Sequence, residues 1–261
     1  MRNAYSAAGI VAVVAAMVGY FLVLRGQTFA GHALSHVGFS GAAGAALIGL
    51  APLQGMLIAA MAGGVCIGML GEKLAQRDVA IGIALSFSLG LGLLFLRFYT
   101  SHATQTSTLL FGNVLAVSGE TVRVLLYLGL ACLAGLGLIS RPLLFASLQP
   151  ELAQARGVSL RLYSSLFMAI AALATVLSTQ VVGILLVFSL MVGPPAAAQR
   201  LARRVGTGLA LSVALALASA WLGIALAYWT DWPVSFWITT LSCATYLGAQ
   251  AWAAGRRHGH A

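Results

Sequence analysis

Apolar residues run through this chain in long blocks, and almost every charge falls in a short cluster between them. A helix that crosses a bilayer needs about 20 predominantly apolar residues. That rule predicts spans at roughly Ala7 to Leu24, Ala30 to Leu50, Gln54 to Leu70 and Val79 to Leu96, with a fifth from about Val122 to Ile139. Leu162 to Ala198 is one continuous apolar run of roughly 37 residues, about 55 Å as a helix and nearly twice the hydrocarbon thickness. It must fold back on itself, and Ser178-Thr179-Gln180 is the expected bend. The last two spans fall at about Gly206 to Tyr228 and Pro233 to Trp252, separated by the turn W-T-D-W-P. Between the fourth and fifth spans, Arg97 to Thr121 is too interrupted to cross and reads as a re-entrant or interfacial segment.

The expectation is therefore an all-α, polytopic membrane protein of about nine spans. Composition agrees, because 61% hydrophobic against 7% charged residues is not that of a soluble protein. The net charge of +9 does not point to nucleic acid, since the basic residues sit at loop ends, where they set orientation. Met1 to Leu24 resembles a secretory signal, but no small-residue cleavage site leads into a soluble domain, so it reads as the first span. Cys66, Cys132 and Cys243 all lie inside apolar runs without metal-type spacing.

The one long polar interruption is Ser140 to Arg161, S-R-P-L-L-F-A-S-L-Q-P-E-L-A-Q-A-R-G-V-S-L-R. Within it, Pro150 and Glu151 suit the first turn of a short helix and Gly157 suits its end. Such a capped helix at the membrane surface is either a docking element for a cytoplasmic partner or an ordinary loop. With an odd span count and this segment in the cytoplasm, only Arg2, Arg97 and Arg123 face outward, and the other eleven of the 14 basic residues lie inside. The positive-inside rule supports that orientation. Tyr228, Trp229, Trp232, Phe236 and Trp237 then form an aromatic belt at the outer boundary.

Candidate chemistry is concentrated in the second span, F-A-G-H-A-L-S-H-V-G-F-S-G. His32 and His36 are four apart and share one helix face, which Ser40 continues. Two imidazoles so placed could touch one divalent metal, with zinc, nickel or copper preferred over harder ions, or could simply bond to neighbouring helices. G-F-S-G around Ser40 also fits an intramembrane serine hydrolase, but no histidine on another span is available as a base. Asp78 in R-D-V-A-I-G is read as the cap of the fourth span. The tail R-R-H-G-H is a weak metal motif. No Walker-type G-x-x-x-x-G-K-[ST] occurs, and all five acids lie at loops or span ends, so a transporter of this sequence would be energised by a partner subunit instead of an ion gradient.

Taken in order, H-A-L-S-H-V-G-F-S-G at His32 to Gly41, R-D-V-A-I-G-I at Arg77 to Ile83, L-F-G-N-V-L-A-V-S at Leu110 to Ser118, P-E-L-A-Q-A-R-G-V at Pro150 to Val158 and the V-V-G-I-L-L-V-F-S-L-M-V-G-P-P-A-A-A-Q-R-L stretch at Val181 to Leu201 resemble the membrane subunits of bacterial ABC importers for zinc, manganese and iron(II). The resemblance implies a type II-like permease, residues 1–261 forming one transmembrane domain of the cytoplasmic (inner) membrane. It implies a homodimer, a cytoplasmic ATP-binding subunit and a periplasmic or lipoprotein metal-binding protein, with no cofactor held by the chain itself. Residues 150–158 become the coupling helix, with Glu151, Ala153, Ala155 and Gly157 as coupling residues. His36 and His32 become candidates on the metal route, and Asp78, Ser40, Asn113 and Pro194 candidate structural or gating positions. After Asp231 the sequence W-P-V-S-F departs from the family's Pro-Ser-Gly type turn. The histidine pair and the lack of intramembrane acids lean toward zinc over manganese or iron(II).

Overall fold

The computed structural model describes residues 1–69, 74–98, 114 and 117–258. Nine long helices run through the described residues: α1 (Arg2–Leu24), α2 (Thr28–Leu47), α3 (Pro52–Met69), α4 (Leu74–Phe98), α5 (Gly119–Leu148), α7 (Leu160–Val182), α8 (Ile184–Leu201), α9 (Val205–Thr230) and α10 (Val234–His258). A short helix, α6 (Pro150–Ala155), links α5 to α7. By length and apolar composition alone, α1, α3, α5, α7 and α9 suffice to cross a membrane. α4 adds the apolar stretch Ile81–Phe95, and α2, with its histidines and serines, packs with α4, α8 and α10 around these five.

α1 is the hub. It packs against α5, α7, α8 and α9, and 72% of its apolar window is buried. On one side of this hub α3 bridges α7 to α2, and α2 carries α4; on the other, α8 and α9 carry α10. Helices can come this close because the contact residues are small. A Cβ at Gly64 or Gly68 of α3 would run into the backbone of α7 at Met168 and Ser165. One at Gly19 of α1 would strike the carbonyl oxygen of Met191 on α8. That carbonyl has lost its helical donor, because the residue four further on is Pro195, which has no N–H. Side chains add bonds to the α1 backbone: Gln199 Nε2 donates to the Tyr20 carbonyl at 2.7 Å, Ser212 Oγ to Ala16 at 3.2 Å and Trp221 Nε1 to Tyr5 at 3.2 Å.

The long apolar run folds back three residues beyond the expected place. Ser178 and Thr179 do not break the helix, because their hydroxyls donate to the carbonyls of Ala174 and Thr175, each at 2.8 Å. The break falls at Gly183, whose φ of 82° and ψ of 162° lie in a region open essentially to glycine alone. The fifth helix also runs further than expected, through Ser140, Arg141 and Pro142 to Leu148. At 30 residues it is about 45 Å long, so its last turns project beyond a hydrocarbon layer of about 30 Å, where the carbonyl that Pro142 leaves unbonded can meet water. Asp78 is not a cap: α4 is already under way at Leu74, and Asp78 sits exposed in its second turn. Of the interfacial segment expected at Arg97 to Thr121, most residues lie outside those described; the described end shows Ser118 capping α5 by accepting from the N–H of Thr121 at 3.1 Å.

Contacts between helix ends show which ends share one side of the bundle. Arg25, at the end of α1, bonds to Ser147 of α5 and Ser164 of α7, so these ends share the side of α6. Asn3 bonds to the Val117 carbonyl at the opposite side. The α9–α10 turn presents Trp229 and Trp232 to the surroundings, with Asp231 in the left-handed region at φ 54°. In a background lacking Cys66, Cys132 and Cys243, single cysteines at Ala155 and Trp232 test the charge-based orientation. We expect the first to resist an impermeant thiol reagent in intact cells and the second to react; the reverse pattern overturns the topology.

Candidate functional site

The candidate metal-facing groups lie on α2. It starts immediately after a tight turn in which the Gln27 N–H donates to the Leu22 carbonyl at 2.8 Å, so α2 turns back beside α1. His36 lies about 12 Å along α2 from Thr28, toward the middle of the layer. The rings of His32 and His36 meet edge to face, with centroids 4.8 Å apart and planes at 83°. His32 also rests against Phe188 of α8 at 5.4 Å. His36 is buried and His32 half-buried, and the Nδ1 atom of each is buried without a hydrogen-bond partner.

Each ring therefore holds one buried nitrogen without a protein hydrogen-bond partner. Among the described residues no cluster of three or more histidine, cysteine, aspartate or glutamate side chains could hold a metal. The pair can therefore contribute two soft-to-borderline ligands to a passing cation, and any further ligands must be supplied by water or another chain. Beside Phe188, a cavity of about 280 Å³ opens between α1, α2, α8 and α10. Its exposed wall surface is mainly apolar, although Thr28, Ser189, Thr239, Ser242, Cys243 and Tyr246 all contribute to it.

Among the described residues Ser40 has no general base beside it on the same face beyond His36 of its own helix, and nothing supports a hydrolytic role. Its hydroxyl donates to the Val37 carbonyl of its own helix at 2.9 Å, so the proton that a base would have to remove is held by the backbone. Pro194 is buried within α8, and its missing N–H, with that of Pro195, releases two backbone carbonyls inside the bundle. Asn113 lies outside the described residues.

The second set of sequence candidates forms a separate place, at the foot of α5 and α7. Pro150 opens α6, Glu151 occupies its first turn, and Ala153 is buried against the neighbouring helices. The end is a complete glycine-terminated cap: the Gly157 N–H donates to the Gln154 carbonyl and the Val158 N–H to Ala153, both at 2.9 Å. Gly157 has φ 80°, and no atom lies within 4 Å of the place a Cβ would take. Arg156 lays its guanidinium over Phe145, 5.9 Å from the ring centre, tying α6 back to α5. Glu151, Leu152 and Ala155 are exposed. Sequence reading missed one group, Arg25, counted there only as an orientation charge; a lone arginine between two apolar spans gives no signal of what it will meet.

A multi-span helical frame with small-residue crossings, a polar pair inside one span and a rigid stub helix at one end is that of a membrane permease. Comparison with known proteins specifies it further: the chain matches the ABC 3 transport family over residues 1–253 and belongs to that family. It is similar to the manganese transport system membrane protein MntC of Halalkalibacterium halodurans, 33% identical over 225 residues that make up 86% of this chain and 77% of that one. It is also 30% identical to the manganese import system permease protein ScaB of Streptococcus parasanguinis, over 95% of this chain and 88% of that one. Among solved structures it resembles PsaBC from Streptococcus pneumoniae in complex with Fab, with a TM-score of 0.84 and 28% identity over 95% of this chain and 90% of that chain. The protein is thus a multi-pass permease of a metal ABC importer in the bacterial cytoplasmic membrane.

The two imidazoles should matter to transport and the serine should not. We expect His36→Ala to lower metal uptake about tenfold, the size of effect seen when a group that orients or completes a metal site is lost, without loss of the protein from the membrane. Ser40→Ala should leave uptake close to wild type. Uptake that survives His36→Ala removes this pair from the route.

Proposed function

We propose that the chain works as a homodimer with a cytoplasmic ATP-hydrolysing subunit and an external metal-binding protein, and that it passes manganese inward. Residues 1–261 act as one permease domain. The observation that carries this reading is α6: a short helix opened by Pro150 and closed by the Gly157 cap, held at the foot of α5 and α7, with Glu151, Leu152 and Ala155 exposed. A stub rigid enough to transmit movement and exposed enough to dock is what a partner ATPase needs. In this reading Glu151, Ala153, Ala155 and Gly157 are coupling residues, with Ala153 anchoring the stub and Gly157 ending it. Asp78, Asn113 and Pro194 are structural or gating positions.

The histidine pair alone argues for zinc, because imidazole suits zinc better than manganese. Two considerations favour manganese. Relatives at 30% and 33% identity are named for manganese import. A conduit also differs from a storage site, since an ion must bind well enough to enter and weakly enough to leave. Two imidazoles without a carboxylate hold manganese weakly, which suits passage, and selection then falls to the binding protein.

Uptake of manganese, zinc and iron measured together, in cells with and without this chain, separates the ions; a change in zinc alone would sink the manganese assignment and leave the importer reading standing. Coupling is tested by Gly157→Val and Glu151→Arg. A branched side chain in the left-handed region costs about 1–2 kcal/mol, and with open space around Gly157 the whole effect is on the backbone of the stub. We expect either variant to stay in the membrane while co-purification with the ATPase, or stimulation of its ATP hydrolysis by metal-loaded binding protein, falls. Full uptake and full stimulation in both would reduce α6 to a connector.

A further inference from the structure

We infer that Arg25 is the positioning residue that joins the coupling stub to the metal-facing helix, an inference that rests on the transport reading above. Arg25 caps the C-terminal end of α1, one residue before the glycine that turns the chain into α2. Its guanidinium reaches three separate elements. Nη1 donates to Ser147 Oγ at 2.9 Å, in the last turn of α5 and three residues before α6 begins. Nη2 donates to Ser164 Oγ at 3.4 Å, in the second turn of α7 and on the other side of α6. Nε donates to Oε1 of Gln27 at 3.1 Å, and Gln27 is the cap residue of α2. The same guanidinium lies 5.7 Å from the ring centre of Phe167 on α7, which is wholly buried and faces Phe21 of α1.

One planar fork therefore holds both feet of the α6 segment and the cap residue of the helix that carries His32 and His36. Arginine is suited to this, since its donors sit in fixed directions and can serve several acceptors at once, whereas a lysine ammonium is a single point of charge. Gln27 shows how the turn is arranged around that fork. Its side chain is only 2% exposed, its carbonyl oxygen is given to Arg25, and its Nε2 is left buried without a partner. A displacement of α6 by its partner must pull on Ser147 and Ser164, and through Arg25 on the start of α2. These acceptors on α5, α7 and Gln27 are hydroxyls and an amide, neutral groups whose bonds can be released and remade.

The alternative is that Arg25 acts only as one more inside charge, and Arg25→Lys separates the two because it keeps the charge and loses the fork. A second variant, Ser147→Ala with Ser164→Ala, keeps the arginine and removes its acceptors on α5 and α7. Each is purified as the full complex with its ATPase subunit, reconstituted in vesicles with the binding protein, and supplied with manganese. ATP hydrolysis and manganese uptake are measured on the same vesicles. We expect both variants to assemble and hydrolyse ATP while manganese carried per ATP falls about 2- to 30-fold, the range over which residues between two sites alter coupling. A ratio unchanged in both variants overturns the inference, as does a parallel fall in uptake and hydrolysis, or failure of both variants to assemble, any of which makes Arg25 a structural or orienting charge. Wild-type vesicles that hydrolyse ATP and carry no metal would defeat the transport reading itself, whereas wild-type transport with variants unchanged defeats only the role of Arg25.

Discussion

In hydrocarbon every backbone N–H and C=O must find its partner within the protein, and the rest of this structure depends on how α1 meets that demand while surrounded by four other long helices. A helix satisfies its own ladder, but a helix enclosed on nearly all sides must also let its neighbours approach. α1 does so by being built of alanine, glycine and valine where contacts are tightest, including Ala4, Ala7, Ala8, Ala12, Ala15, Ala16 and Gly19. Its carbonyls then accept further bonds from Gln199, Ser212 and Trp221, which fix the rotation of α8 and α9 about it. With lipid on the outside there is no hydrophobic drive between helices comparable to that in water, so close van der Waals contact and these few hydrogen bonds carry the specificity of assembly.

The prolines of α8 belong to the same arrangement. Pro194 and Pro195 free two carbonyls in the bundle interior, and Gly19 allows the α1 backbone to lie directly against one of them. A larger residue at position 19 would open the crossing and expose that oxygen to an apolar surrounding. Irregular backbone is tolerated here because protein, not lipid, covers it. The break at Gly183 follows the same logic, since it is buried between α7 and α8 and not presented to lipid.

Function is distributed along the axis set by α1. Its end at Arg25 touches the feet of the stub helix and the start of α2, and about two turns further into α2 lies His36. On the proposed transport reading, the distance between the point where a partner would push and the point where a cation would be met is covered by one side-chain fork and the first turns of α2. The imidazole pair is too sparse to act as a metal store: the described residues offer two ligands where a closed structural site would use four. Sparse ligation and a short mechanical path both suit a protein whose cargo must leave.

Apolar runs determined by themselves that this is an all-α chain that crosses the membrane many times, and the polar interruption showed where a short helix would stand between spans, while charge placement gave an expected orientation. These follow from the cost of moving charge or unpaired backbone into hydrocarbon, which is large, local and readable residue by residue. The stub at Pro150 was legible for a related reason: proline, glutamate and glycine each act on the backbone within one turn. What only the tertiary structure decided were the contacts between distant residues. The break at Gly183 instead of Ser178 depended on hydroxyls folding back onto their own helix, the idle state of Ser40 on the Val37 carbonyl, and the extension of α5 through Pro142 on where the bilayer ends. Arg25 is the clearest case, because Ser147 and Ser164 lie more than a hundred residues away along the chain and nothing in their local sequence marks them as acceptors. Side-chain partners across a bundle are chosen by which helices pack and at what rotation, and that information resides in the assembled shape.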